Sequence, residues 1–255
     1  MRIDFTSEIG TRTKGPVFVW MHGWGQTHKS MRALATQMKR QGHHIMIDLP
    51  GFGQTTALEQ GADTAAYADH MMGLLTSRKI GIDQPVVLIG HSFGCRVAVQ
   101  MAAKYPSKIK AIIMMGGAGL QRKRSVAWKI RAFCLRSLGK LVRLSDRLFK
   151  TSFRDAYVSR FGSADYRNAG VLRETFVKVV QENLVAEARS VKCPTLLLYG
   201  SDDSETPPEI GKAYHKLISD SDYVELSGFG HLDILSRGSH QVEARIKYFI
   251  KQRGL

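Results

Sequence analysis

Apolar residues follow two alternating rhythms along this chain. Short runs rich in Val, Ile, Leu and Met, too brief for buried helices, predict strands at Pro16–Met21, His43–Leu49, Pro85–Gly90, Lys110–Met115, Pro194–Gly200 and Asp222–Leu226. Between them apolar residues recur at helical spacing. Met31, Leu34, Ala35 and Met38 mark a helix that stops at Gly42, a residue suited to a left-handed C-terminal turn. Tyr67, Met71, Leu74 and Leu75 mark a second helix from about Asp63 to Lys79, and a third begins straight after Ser92 and carries Val97, Val99 and Met101 toward Pro106. Strands alternating with helices predict an α/β fold, a mostly parallel twisted sheet with helices on both faces.

The alternation stops between about Leu120 and Ser190, where two long amphipathic patterns replace the strands. One runs from Ser125 to about Arg154. The other runs from about Ala164 to Leu184 on Leu172, Phe176, Val179 and Val180, with Gly162 and Ser163 between the two. The expected division is a core of residues 1–120 and 190–255, with 121–189 inserted as a helical lid.

Chemistry concentrates where the strands end. Gly90-His91-Ser92-Phe93-Gly94 follows an apolar strand and opens a helix, the setting a Gly-x-Ser-x-Gly nucleophile elbow requires. The serine must sit on a strained turn for its hydroxyl to project, and glycines two residues to either side let backbone and helix pack that closely. A serine hydroxyl is a weak nucleophile, so it needs a base to take its proton and an acid to orient that base. Gly200-Ser201-Asp202-Asp203 closes the strand 195–199 and puts a carboxylate at the C-terminal sheet edge, where open α/β folds bind ligands. His231 follows the last strand in the loop Gly228-Phe229-Gly230.

The elbow and the chain order Ser, Asp, His resemble the α/β-hydrolase superfamily, and the resemblance covers nearly the whole chain. His22-Gly23-Trp24-Gly25 is similar to its oxyanion loop, and Asp48-Leu49-Pro50-Gly51-Phe52-Gly53 to the turn after the next strand. The resemblance implies Ser92 as nucleophile, His231 as base, Asp203 as orienting acid, and the backbone N–H groups of Trp24 and Phe93 as the oxyanion hole. Asp203 is preferred because the family usually has its acid three residues after the glycine and four before a proline, here Gly200 and Pro207; Asp202 stays open, and Asp233 is a remote third. His22 is expected to support the oxyanion loop by hydrogen bonding and His91 to pack beside the nucleophile, with the turn after Asp48 structural.

Relatives that form alkyl-enzyme intermediates carry aspartate at the elbow, and Ser92 disfavours that route. Acyl transfer to water remains, with hydrolysis of an ester or thioester as the first expectation. Carbon–carbon cleavage beside a carbonyl is the second, and a non-catalytic small-ligand receptor on the same fold the third. No nucleotide, flavin or metal motif is visible, and the chemistry needs no cofactor. His43, His44, His70, His215 and His240 show no metal-binding pairing, and the odd, scattered Cys95, Cys134 and Cys193 suit neither a disulfide frame nor a zinc site.

Charge adds a question of partners. Of 255 residues, 37 are Lys or Arg and 22 Asp or Glu, giving +15, with 44% hydrophobic residues. Residues 121–160 hold 12 basic and two acidic side chains, hence +10 of that total. Arg136, Lys140, Arg143, Arg147, Lys150 and Arg154 recur at helical spacing beside an apolar stripe of Leu135, Leu138, Val142 and Phe149, expected to be the underside of the lid. The basic face is either solvated or takes an acidic partner: an acyl carrier protein, an anionic lipid surface or an anionic substrate. Nucleic acid is not expected, since no such motif accompanies the charge. The oxyanion loop with an arginine-rich lid also resembles carboxylesterases that demethylate pimeloyl carrier-protein esters, although His91 stands where those enzymes usually have Trp. Met1-Arg2-Ile3-Asp4 lacks a signal-peptide core and no run reaches the length of a membrane span, so a cytoplasmic location is expected.

Overall fold

The computed structural model describes residues 4–10, 15–81, 84–122, 126–149, 153, 160 and 163–255, with the side chains of 126–129, 131, 132, 134, 136 and 144 excepted. Strands β1 (Thr6–Ile9), β2 (Val17–Met21), β3 (His43–Ile47), β4 (Val86–His91), β5 (Ile109–Met115), β6 (Thr195–Gly200) and β7 (Ser221–Leu226) form one sheet in the order β1-β3-β2-β4-β5-β6-β7. The six expected strands are parallel; β1 was not expected and pairs antiparallel with β3 at the edge.

Both faces of the sheet are covered, which explains why the strands read as unbroken apolar runs. Val19, Met21, Ile45, Leu88 and Met114 point to one face, under helices α2 (Thr64–Ser77) and α3 (Phe93–Lys104). The alternate residues Phe18, Trp20, Met46, Val87, Ile89 and Ile113 point to the other, under α1 (Lys29–Gln37) and the C-terminal helix Ser239–Arg253. Asp63 caps α2 by accepting a 2.9 Å hydrogen bond from the Ala66 N–H.

Residues 121–189, expected as an insertion, are helical and, among those described, carry no strand. The long helix α4 spans Val126–Phe149, and the segment expected to continue it through Lys150 and Arg154 lies outside the described residues. The second expected helix is broken. Ala164–Asn168 (α5) and Arg173–Gln181 (α6) are separated at Gly170, whose φ of +50° no regular helix accommodates. A short helix α7 (Val185–Ser190) then leads into β6, followed by α8 (Pro208–Leu217) and β7.

This second half of the segment is tied to the helices beside the sheet. Arg96 of α3, buried, donates from Nη1 to the Val179 carbonyl at 2.8 Å. The Glu182 carboxylate accepts from the Thr64 N–H at 2.8 Å and its hydroxyl at 2.6 Å, and the Leu184 N–H donates to the Gly119 carbonyl at 2.9 Å. Helix α3 in turn approaches the sheet so closely that a Cβ on Gly94 would collide with the Met21 carbonyl oxygen, and one on Gly90 would press on the Cys95 N–H. Replacing Gly94 by Ala should therefore lower Tm by roughly 5–10 °C in a thermal melt, because the obstacle is backbone that cannot rotate away. An unchanged Tm would mean that α3 shifts freely.

Candidate active site

The chain turns from β4 into α3 at Ser92, with φ +49° and ψ −105°, a conformation that costs an L-residue of order 1–3 kcal/mol. The surroundings hold it there. The Ser92 N–H donates to the Met115 carbonyl at 3.0 Å, and the Ser92 carbonyl accepts from the N–H of Cys95 at 3.1 Å and of Ala118 at 3.4 Å.

Asp203 lies in the loop after β6 and His231 in the loop after β7, and the structure brings their side chains together. His231 Nδ1 stands 2.7 Å from Asp203 Oδ2, both residues buried. A carboxylate only accepts, so Nδ1 carries a proton, and in the neutral form of the ring the lone pair is on Nε2. Asp203 Oδ1 accepts from the N–H groups of Glu205 at 2.9 Å and Thr206 at 2.8 Å. Burial pushes the Asp203 carboxyl up, but its bond to His231, that ring's charge and the Thr206 donors outweigh it and hold the pKa below the usual carboxylate range.

The other two acids are engaged elsewhere. Asp202 Oδ1 accepts from the Ser201 hydroxyl at 2.7 Å, and Asp233 Oδ2 accepts from the Gly230 N–H at 2.9 Å and from Arg237 at 3.0 Å. Two neighbours escaped the sequence reading. Thr206 Oγ1 lies 2.8 Å from Asp203 Oδ2, 3.1 Å from His231 Nδ1 and 3.0 Å from the Gly116 carbonyl, so its one proton serves one of two oxygens at a time. The exposed Glu205 carboxylate reaches to 3.6 Å from His231 Nε2. The spacing Asp203-x-x-Thr206, an aspartate bonding backbone N–H groups two and three residues on, was the available signal.

The loop after β2 runs alongside. His22 Nε2 accepts from the Leu49 N–H at 3.0 Å while Nδ1 donates to the Gly23 carbonyl at 2.7 Å, and Gln26 Oε1 accepts from the Gly23 N–H at 3.1 Å. Trp24 follows, its ring edge-on to Phe52 and to Phe93 at centroid distances of 4.9 and 5.3 Å, and 5.0 Å from Phe176 of α6. The loop after β3 is fixed by Asp48, which accepts from the N–H groups of His28 and Gln54 at 2.7 and 3.1 Å. A cleft of about 510 Å³ opens between these loops and residues 165–172, with Trp24, Phe52 and Leu172 in its walls.

A family model described as the alpha/beta hydrolase fold matches residues 16–237, most of the chain. The chain belongs to the α/β-hydrolase family. Among curated relatives, this α/β-hydrolase is 25% identical over 264 residues to a pimeloyl-[acyl-carrier protein] methyl ester esterase of Chromobacterium violaceum, covering 96% of this chain and 98% of that protein. It is 22% identical to Lipase 1 of Psychrobacter immobilis over 87% of this chain and 73% of the lipase. A solved esterase from Thermogutta terrifontis shares the fold with a TM-score of 0.70 at 20% identity, covering 99% of both chains.

The basic residues expected along α4 fare differently in this α/β-hydrolase. Lys140, Arg143 and Arg147 of α4 are exposed; the Arg136 side chain, Lys150 and Arg154 lie outside what the structure describes. The apolar stripe expected beneath them divides. Leu135 and Val142 are half-buried, but Leu138 and Phe149 are exposed and form no underside, because α4 turns those positions to solvent.

Three buried histidines carry a titration consequence. His22 is held at a pKa of about 4 by burial, and His44, bonded to Trp20 Nε1 and the Met38 carbonyl, at about 4 for the same reason. His91 is lowered to about 3 by burial and then by the charge of His231; its Nε2 donates to the His231 carbonyl at 3.1 Å and its Nδ1 is buried with no hydrogen-bond partner. Each has a folded pKa below the unfolded value of about 6.5, so the unfolded chain binds more protons and the stability is present above that pH and lost as pH falls below it. Urea unfolding between pH 6 and 4.5 should show stability falling toward about 4 kcal/mol per pH unit, three protons' worth, and His44→Gln should remove about one of them. A flat profile over that window would contradict the neutral burial of these rings.

Proposed function

We propose that this α/β-hydrolase cleaves carboxylic esters, or thioesters, through an acyl-Ser92 intermediate. The observation that carries the reading is the strained Ser92 at the head of α3 on the same sheet edge as the buried Asp203–His231 pair. Relatives named lipases and esterases support the ester class. In this mechanism Ser92 Oγ attacks the ester carbonyl carbon while His231 Nε2 takes the hydroxyl proton. The carbonyl π electrons move to oxygen, and that anion is received by the backbone N–H groups of Phe93 and Trp24, each such donor worth about 10²–10³ in rate. The tetrahedral intermediate collapses, expelling the alcohol with the proton returned from Nε2. Water, deprotonated by the same nitrogen, then frees the acid. Asp203 stays ionised and holds the imidazole in the reactive tautomer, helped by Thr206.

Residues 121–189 act in this reading as a lid over the site, and the aromatic wall of Trp24, Phe52, Phe93 and Phe176 receives the acyl part of the substrate. No observation favours carbon–carbon cleavage or a receptor role, and neither is carried further. On p-nitrophenyl esters of graded chain length, Ser92→Ala and His231→Ala should each lower kcat by about 10⁴–10⁶ with little change in KM, and the double variant should be scarcely worse. Asp203→Asn should lose more than Asp202→Asn. Near-normal turnover by Ser92→Ala would end the proposal.

A further inference from the structure

Helix α4 is long, and what it leaves in water is unusual. Ile130, Phe133, Leu141 and Leu148 are 59, 70, 63 and 66% exposed. At 3.6 residues per turn their directions fall within roughly 80° of arc, one stripe about 27 Å long from residue 130 to 148. Lys140, Arg147 and Arg143 follow on one flank within roughly another 80°, all exposed, and among the described residues none of them meets a carboxylate. Leu135 and Val142, on the opposite side, are half-buried. Leu138 and Phe149 beside them are 44 and 74% exposed, so α4 turns to solvent a broad apolar face with a cationic border along one edge.

We propose that this outer face of α4 lies in the plane of an anionic lipid surface, with Ile130, Phe133, Leu141 and Leu148 entering the headgroup–acyl boundary and Lys140, Arg143 and Arg147 reaching the lipid phosphates. Charge complementarity selects the occupant. Residues 121–160 carry +10, so a second copy of this chain would bring like charge to the same face. An acidic protein would satisfy the cations but leave four large apolar side chains in water without a reason. A lipid interface offers anionic oxygens beside apolar depth, and on α4 the cationic flank lies beside the apolar stripe. Among the described residues no helix is long and apolar enough to cross a membrane, so the contact lies along the surface. The proposal does not depend on the chemistry assigned to Ser92.

The test is co-sedimentation of the full chain with vesicles of phosphatidylcholine alone and with about 30% phosphatidylglycerol. Binding is expected to the anionic vesicles only, and to fall steeply when salt is raised to about 0.5 M. Phe133→Ser with Leu141→Ser should weaken partitioning at least roughly tenfold, and Lys140→Glu with Arg143→Glu and Arg147→Glu should abolish it. Val180→Ser, which removes an exposed apolar residue on α6, should change nothing, and Ser92→Ala should bind as the parent does. Each variant is checked for an unchanged Tm, so that a loss reports the surface. No binding to anionic vesicles, or binding indifferent to both stripe variants, overturns the proposal. So does a stripe-dependent dimer in light scattering, or saturable binding to an acidic carrier protein with no vesicle association.

Discussion

The approach of α3 to the sheet is the contact on which the rest of this molecule depends. With hydrogen atoms in place of side chains at Gly90 and Gly94, the helix begins against the carbonyl of Met21 and the chain has no room for an ordinary turn. Ser92 is left at positive φ, and the cost is offset by hydrogen bonds from both of its peptide groups into β5 and the first turn of α3. Because the neighbouring strands run parallel, their C-terminal ends share one edge, and loops far apart in sequence deliver Asp203 and His231 to that edge. The geometry of the site is thus a by-product of sheet direction and one close packing contact.

Around that contact the polar groups are satisfied in layers. Asp203 orients His231, and its own orientation is fixed by two backbone N–H groups and a threonine hydroxyl. The loop after β2 is held by His22 against Leu49 and by Gln26 against Gly23. These supports are short-range, made within a loop or between adjacent loops, so they need no large core to maintain them. Rigidity costs something in return: His91 is packed beside His231 with a ring nitrogen that bonds nothing.

Much of this was legible in the chain because both signals were strong. Buried parallel strands appear as apolar runs, and the elbow glycines sit where only a tight strand-to-helix turn makes sense. Strand β1 was invisible since Thr6, Ser7 and Glu8 offer no apolar period, and an edge strand with water on one side needs none. The break at Gly170 was read through as a helix, because one glycine in a periodic pattern does not declare its φ. Thr206 was hidden by ordinary-looking neighbours in Ser204-Glu205-Thr206-Pro207. For α4 the difficulty was different. Its apolar residues recur on more than one side, and periodicity shows that they recur without saying which of them are covered.

Arg96 gives α6 an unexpected reach. It sits one turn beyond Ser92 on the same helix, and its guanidinium is committed to a carbonyl at the end of α6. A displacement of α6 would therefore leave a buried cation without its acceptor, and the strain would be felt along the helix that begins at the serine. A change in α6 is then felt by a side chain of α3. An amino-acid change in α6 that alters the start of α3 is consequently poor evidence that the altered side chain touches it, since the same effect can travel through a single arginine.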